Sequence, residues 1–187
     1  MKLSSQELQY HQSKVAYYRD EQSYKHLFLY FHPVLYRFSF NILQNKSVSE
    51  EIVSDMMLKV WEMGNKLSQI QHLKIFLITS VKNACFTYLS SKKHLQSLNE
   101  SIDNEDIISS NGDNPEQLFI YSEVTQRVNL VVASLPMKCQ MVFRLIKEEG
   151  LSYKEVSKVL EISQNTIETH MRIALRKIRM NLQQFLK

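Results

Sequence analysis

Apolar residues recur three and four positions apart through most of this 187-residue chain, with polar residues between them. That period predicts helices throughout and an all-α fold. A first stripe, Leu27, Phe28, Phe31, Leu35, Phe38 and Ile42, predicts a helix from about Tyr24 to Leu43 that Pro33 kinks or splits. A second helix opens at Ser47, with Glu50 three residues on in a capping-box pattern. It carries Ile52, Val53, Met56 and Val60 and stops at Gly64. A third, from about Gln71 to Lys93, gathers Leu73, Phe76, Leu77, Val81, Ala84, Cys85, Tyr88 and Leu89 on one face. Three amphipathic helices of this length can close one core.

Further along, Leu118, Tyr121, Val124, Val128 and Val131 predict a helix ending near Ser134, and Pro136 suits the first turn of the next. That next helix reaches Glu149 and stops at Gly150. Ser152 and Glu155 form a second capping box over a short helix, and a last helix begins after Ser163.

Between these two groups lies LQSLNESIDNEDIISSNGDNPEQ, a strip too polar to bury a core of its own. It divides the chain into a first domain, 1–94, an acidic flexible linker, 95–117, and a second domain, 118–187. Charge follows the same division. Net charge is +5 over 1–94, −6 over 95–117 and +5 over 118–187. Two basic blocks flanking an acidic strip suit two nucleic-acid-facing domains, or two ordinary domains with mildly basic surfaces.

Composition narrows the function classes. With 3 Gly and 3 Pro the chain lacks the turns of an all-β protein. No run of about 18 apolar residues predicts a membrane span. The opening MKLSSQELQYHQSK lacks the apolar stretch of a signal peptide, so the expected place is the cytoplasm. Cys85 and Cys139 sit far apart in apolar stretches and read as buried free thiols. His26, His32, His72, His94 and His170 show no metal-ligand spacing. No phosphate loop or nucleophile motif is present, and pairs such as Glu50-Glu51 and Glu148-Glu149 fall on helix caps and surfaces. Neither an enzyme, a metal site nor a cofactor is expected.

The strongest local motif is SYKEVSKVLEISQNTIETHMRIALRKIR. About three residues, Glu161 to Ser163, separate two helices, and Val156, Leu160, Ile162, Ile167 and Met171 fall where a helix-turn-helix needs its core. Ser157 is small at the close approach. The second helix keeps Ile167, Met171, Ala174, Leu175 and Ile178 inward. Outward it presents Asn165, Thr166, Glu168, Thr169, Arg172, Arg176 and Arg179. Short polar groups lead and arginines follow, as in a recognition helix entering the major groove N-terminus first. Glu161 stands where such turns usually have Gly, at a cost of about 1 kcal/mol if its φ is positive. A helical hairpin with a solvated basic face shares this pattern, and so do simple repressors.

The first domain decides between these. HPVLYRFSFNILQNKSVSEEIVSDMMLKVWEM resembles region 2 of the sigma-70 family, within its extracytoplasmic-function (ECF) group. Leu35-Tyr36-Arg37-Phe38, Glu51-Ile52-Val53-Ser54-Asp55 and Val60-Trp61 carry the resemblance. LKIFLITSVKNACFTYL looks like the family's promoter-melting helix, with Lys82-Asn83 at its basic-Asn pair. Leu135-Pro136, Val142-Phe143, Gly150 and Tyr153-Lys154-Glu155-Val156 resemble region 4. The run Asn165-Thr166-Ile167-Glu168-Thr169-His170 looks most like members from Bacteroidetes-type bacteria, often paired with a membrane-bound anti-sigma factor.

The resemblance implies a sigma factor that binds RNA polymerase core, through the β′ coiled coil and the β flap, and promoter DNA. Polymerase contacts are then expected at Glu51, Asp55, Lys59 and Trp61, with Met57 and Leu58 lying partly off the core stripe. Contacts to the −10 element fall to Lys74, Lys82, Asn83, Lys92 and Lys93, and the loop Asn65 to His72 is where the family cradles a flipped base. Phe86 reads as packing. Contacts to the −35 element fall to Asn165, Thr166, Glu168, Thr169, Arg172 and Arg176. A stand-alone helix-turn-helix regulator is the alternative reading.

Overall fold

The computed structural model describes residues 3–98 and 123–185, and among them the regular structure is entirely helical. The chain divides into two compact units, 1–107 and 108–187.

Among the described residues, four helices build the first unit: α1 (Ser5–Tyr18), α2 (Glu21–Leu43), α3 (Lys46–Glu62) and α4 (Leu73–Leu98). A 3₁₀ segment, Gly64–Gln69, joins α3 to α4. Val15, Leu27, Phe31, Leu35, Val53, Met57, Val60, Leu67, Leu77 and Val81 are all buried, so every one of these elements contributes to one core.

Helix α1 was not expected, because MKLSSQELQYHQSK has few apolar residues. It needs few. Ser4 and Glu7 form a reciprocal capping box, and only Gln12, Val15 and Ala16 are buried. A helix with so narrow an inner face carries almost no periodic signal.

Further expectations change. Pro33 neither splits nor ends α2, which runs unbroken across it. Pro33 is exposed, so the Leu29 carbonyl that loses its helical donor opens to water. The α3 cap is Asn45, whose side chain accepts from the Val48 amide, rather than Ser47. Glu50, expected to complete a capping box, instead meets His32 of α2 at 2.9 Å. Met57 is fully buried, not off the core stripe. Gly64 ends α3 with φ of +52°, as a helix stop requires. Helix α4 starts two residues later than Gln71 and continues past Lys93, taking in 95–98 of the expected linker; the rest of that linker, and the stretch 118–122, lie outside the described residues.

The second unit contains α5 (Glu123–Ala133), α6 (Met137–Lys147), α7 (Tyr153–Leu160) and α8 (Gln164–Phe185). Val131, Val132, Leu135, Cys139, Ala174 and Ile178 form a buried cluster between α5, α6 and α8. Val156, Val159, Ile167 and Met171 seal α7 against α8. Pro136 takes the cap position of α6 rather than its first turn. Ser152 and Glu155 form the expected capping box, and α6 gives way to Gly150 with φ of +69°. Leu175, expected inward, is 47% exposed: burial on α8 steps through 167, 171, 174 and 178, and Leu175 falls off that row. Cys85 and Cys139 are buried and free.

Candidate nucleic-acid interface

In the first unit, α3 separates two environments. Glu51, Asp55 and Lys59 are exposed and four residues apart, so they line one ridge. Leu58 beside them is 53% exposed. Trp61 is half-buried. Its ring meets Tyr24 edge-on at 5.1 Å, and the Arg19 guanidinium lies over it.

Next to this ridge, α3, the 3₁₀ segment and α4 enclose an open cleft of about 600 Å³. Met56, Met63 and Phe76 give it apolar walls; Lys59, Lys66, Glu62 and Ser80 give it charge and polarity. Lys59 therefore serves the cleft as well as the ridge. An apolar slot with two lysines at its rim can hold a planar base and its phosphate.

On α4, Asn83 and Lys92 are exposed and Lys74 is half-buried. Lys82 departs from expectation. It is only 6% exposed, because it shares the inner face with Ile78 and Cys85, so it is not available as an open contact. Lys93 lies where the side chains are not described. Phe86, expected to pack, is 41% exposed. It sits one turn from Asn83 and four residues before Ser90, on the solvent side. An exposed aromatic beside an amide is a stacking surface. The sequence offered the signal, since Phe86 falls off the apolar stripe.

In the second unit the recognition helix is rigidly framed. Ser163 Oγ caps α8 by accepting from the Thr166 amide at 3.1 Å and pairs with Thr166 Oγ1 at 2.8 Å. Ser157 Oγ donates to the Ile162 carbonyl at 2.6 Å, tying α7 to the turn. Glu161 has φ of +56°, so the turn does require the left-handed conformation that favours Gly. His170 Nδ1 and Cys139 Sγ lie 3.1 Å apart, joining α8 to α6. Burial pushes the Cys139 thiol pKa up, against a smaller opposing pull from Lys177, so this thiol stays protonated. Lys177 itself donates to the Ser134 carbonyl at 2.8 Å.

Outward from that frame, Asn165, Glu168, Thr169, Arg172, Arg176 and Arg179 are all exposed, and Thr166 is half-exposed. The Thr169 hydroxyl donates to the Asn165 carbonyl at 3.0 Å, which leaves its oxygen as an acceptor. The structure thus keeps short polar groups in the first two turns and arginines in the next two.

Both units match models of one family. Residues 27–94 match Sigma-70 region 2, and 125–178 match Sigma-70 region 4. The chain belongs to the sigma-70 family. It is a sigma factor for transcription initiation, a family of initiation factors rather than enzymes, whose partners are RNA polymerase and promoter DNA. The cleft, the α3 ridge and the exposed row on α4 all fall inside the region 2 match, and the helix-turn-helix as far as residue 178 inside the region 4 match. A stand-alone regulator would leave region 2 without a role.

Among solved structures, this sigma factor is similar to the sigma factor RpoE from Bartonella quintana, solved in complex with the anti-sigma factor NepR. The TM-score is 0.64 at 17% identity, over 87% of this chain and 98% of that one. No curated protein matches the sequence. Among the described residues no helix is long and apolar enough to cross a membrane.

Helix α1 precedes the region 2 match. Sequence reasoning gave it no part in the site, yet it packs directly against the 3₁₀ segment that walls the cleft.

Proposed function

We propose that this is an ECF-group sigma factor whose contacts divide along the chain: 1–94 for core polymerase and the −10 element, 95–117 as acidic connector, 118–187 for the −35 element. The spacing supports the group: only 95–124 separates the two matched regions, too short for a further helical domain. Glu51, Asp55 and Lys59, with Leu58 and the open edge of Trp61, form the polymerase face against the β′ coiled coil. The second unit meets the β flap and reads the −35 element through Asn165, Thr166, Glu168 and Thr169, with Arg172 and Arg176 on phosphate. Lys74, Asn83 and Lys92 follow the −10 strand, Lys93 with them by position, and the cleft takes a base. Phe86 adds stacking. Lys82 supports α4 from beneath.

The observation that carries this reading is the pairing, in one chain, of a solvated recognition helix with an apolar, lysine-rimmed cleft. One suits duplex DNA, the other an unpaired base. The RpoE relative was solved with an anti-sigma factor, which supports a partner of that kind here, with this chain in the cytoplasm. The run Asn165 to His170 supports a Bacteroidetes-type source, and with it an anti-sigma factor that is membrane-bound. Run-off transcription with purified core enzyme tests the reading. The chain should confer initiation at discrete promoters with paired −35 and −10 sequences. Duplex binding without core, and no initiation with it, would overturn it.

A further inference from the structure

The 3₁₀ segment Gly64–Gln69 is short, and a short 3₁₀ turn holds its own shape poorly. At its two ends the Lys66 amide donates to the Met63 carbonyl and the Ile70 amide to the Leu67 carbonyl, each at 3.2 Å, and within it Ser68 Oγ donates to the Asn65 carbonyl at 2.7 Å. Helix α1 adds support from outside. Gln12 of α1 donates from Nε2 to the Leu67 carbonyl at 2.6 Å and to the Ile70 carbonyl at 2.8 Å. Both protons of one amide are thus spent on carbonyls three residues apart, one in the segment and one at its C-cap. Gln12 is 6% exposed, and its loss would leave the Leu67 carbonyl with the Ile70 amide alone and take from the Ile70 carbonyl its donor on α1. Arg19, at the other end of α1, donates to the Trp61 carbonyl. Helix α1 thereby grips the α3–α4 connection on both sides of Gly64.

We infer that Gln12 is a positioning residue for −10 base selection. It touches no DNA. It fixes the backbone on which Lys66 faces the cleft, with Asn65 and Ser68 beside it, and so fixes the shape that accepts one base over another. This rests on the proposed reading of the cleft as the −10 base site. The chemistry selects glutamine: Met keeps the length but has no donor, and Asn has the donors but falls about one methylene short.

The test uses full-length sigma factor assembled with core polymerase. Binding of a single-stranded −10 oligonucleotide is measured with the cognate base and with each substituted base at the flipped position. Gln12→Met should reduce discrimination between them by about tenfold, an effect of one buried bond pair. Core affinity and duplex −35 binding should stay within about twofold. A destabilised but correctly shaped loop would lower all affinities together and leave the ratio intact, which would overturn the inference. Gln12→Asn, which keeps an amide and loses only reach, should show the same loss of ratio. If neither variant folds, Gln12 is a stability residue and the inference fails. Lys66→Ala separates this from the underlying reading. Unchanged selectivity in Lys66→Ala as well as Gln12→Met would remove the cleft as the base site. A change in Lys66→Ala alone would remove only the role of Gln12.

Discussion

The Arg19 guanidinium lies over the Trp61 ring, 5.2 Å from its centroid, while its terminal nitrogen donates to the Trp61 backbone carbonyl. One side chain therefore holds the last turn of α3 by both its ring and its main chain. Arg19 also has φ of +53° as the C-cap of α1, a conformation that tertiary contacts must offset. Arg19→Ala should lower unit stability by about 1–2 kcal/mol, from the lost cation–π contact and charged hydrogen bond. Thermal unfolding followed by Trp61 fluorescence reads this directly, since Trp61 is the sole tryptophan.

Trp61 is thus partly committed within its own unit, which shifts weight in the polymerase face toward the exposed ridge. Asp55→Arg reverses a charge there without touching the core. Core affinity should fall about tenfold or more, with helix content unchanged by circular dichroism. Undiminished binding in a pull-down with core would show that polymerase docks elsewhere.

The helices of both units were legible because their inner faces are wide and regular. What escaped was set by chemistry that periodicity does not encode. Asn45 and Ser47 are both plausible caps two residues apart; geometry alone chose Asn45, leaving Glu50 for His32. Lys82 and Phe86 are one helical turn apart with exposures opposite to their polarity. The family resemblance implied a groove lysine and a packed ring, although Phe86 falls off the apolar stripe; rotation of α4 on its core decided otherwise. Gln12 was invisible because its partners are main-chain carbonyls more than fifty residues away.

Exposure of Phe86 gives it a role that can be separated from duplex binding. Phe86→Ala together with Lys92→Ala should slow open-complex formation on a duplex promoter, by about 1–3 kcal/mol for the stacked base. Stacking acts only once strands part, so a pre-melted −10 bubble should recover part of the loss. Permanganate footprinting of both templates measures it. Equal loss on the two would assign these residues to plain backbone contact.

His11 makes the docking of α1 pH-sensitive. Its ring stacks on His26 at 4.6 Å and its Nδ1 meets Ser23 Oγ at 3.1 Å. Burial lowers its pKa below the ordinary imidazole value, His26 lowers it further, and Glu7 and Asp20 partly oppose both. The folded state thus binds its proton less readily than the unfolded chain does. The sign follows from linkage: the contribution is complete above about pH 6.5 and is lost as pH falls through the lower folded pKa. Stability should drop on acidification below about pH 6.5, and His11→Phe, which stacks but cannot ionise, should drop less. Equal melting-temperature changes between pH 7.5 and 5.5 in parent and variant, pH values chosen to lie on either side of about 6.5, would remove His11 from the account.

Recognition of the −35 element should divide along α8. Glu168 and Thr169 lie within its first two turns, exposed, on a helix whose N-terminus Ser163 caps tightly. Arg176 lies two turns further on the same side. Base edges specify and phosphates position, so the two groups should fail differently. Arg176→Ala should weaken binding evenly across −35 variants and reduce the salt slope by about one unit. Glu168→Ala or Thr169→Ala should instead change which sequence is preferred, by about 1–3 kcal/mol per base pair read. Thr169 needs care, because its hydroxyl proton is engaged with the Asn165 carbonyl; it can accept from a base but not donate, so a shift toward sequences with no donor at that edge is expected on its removal. Activity of each variant across a −35 library, at two salt concentrations, distinguishes these outcomes. If Arg176→Ala reshuffles the preferred sequence while Glu168→Ala and Thr169→Ala retain it, α8 lies in the groove with the opposite polarity.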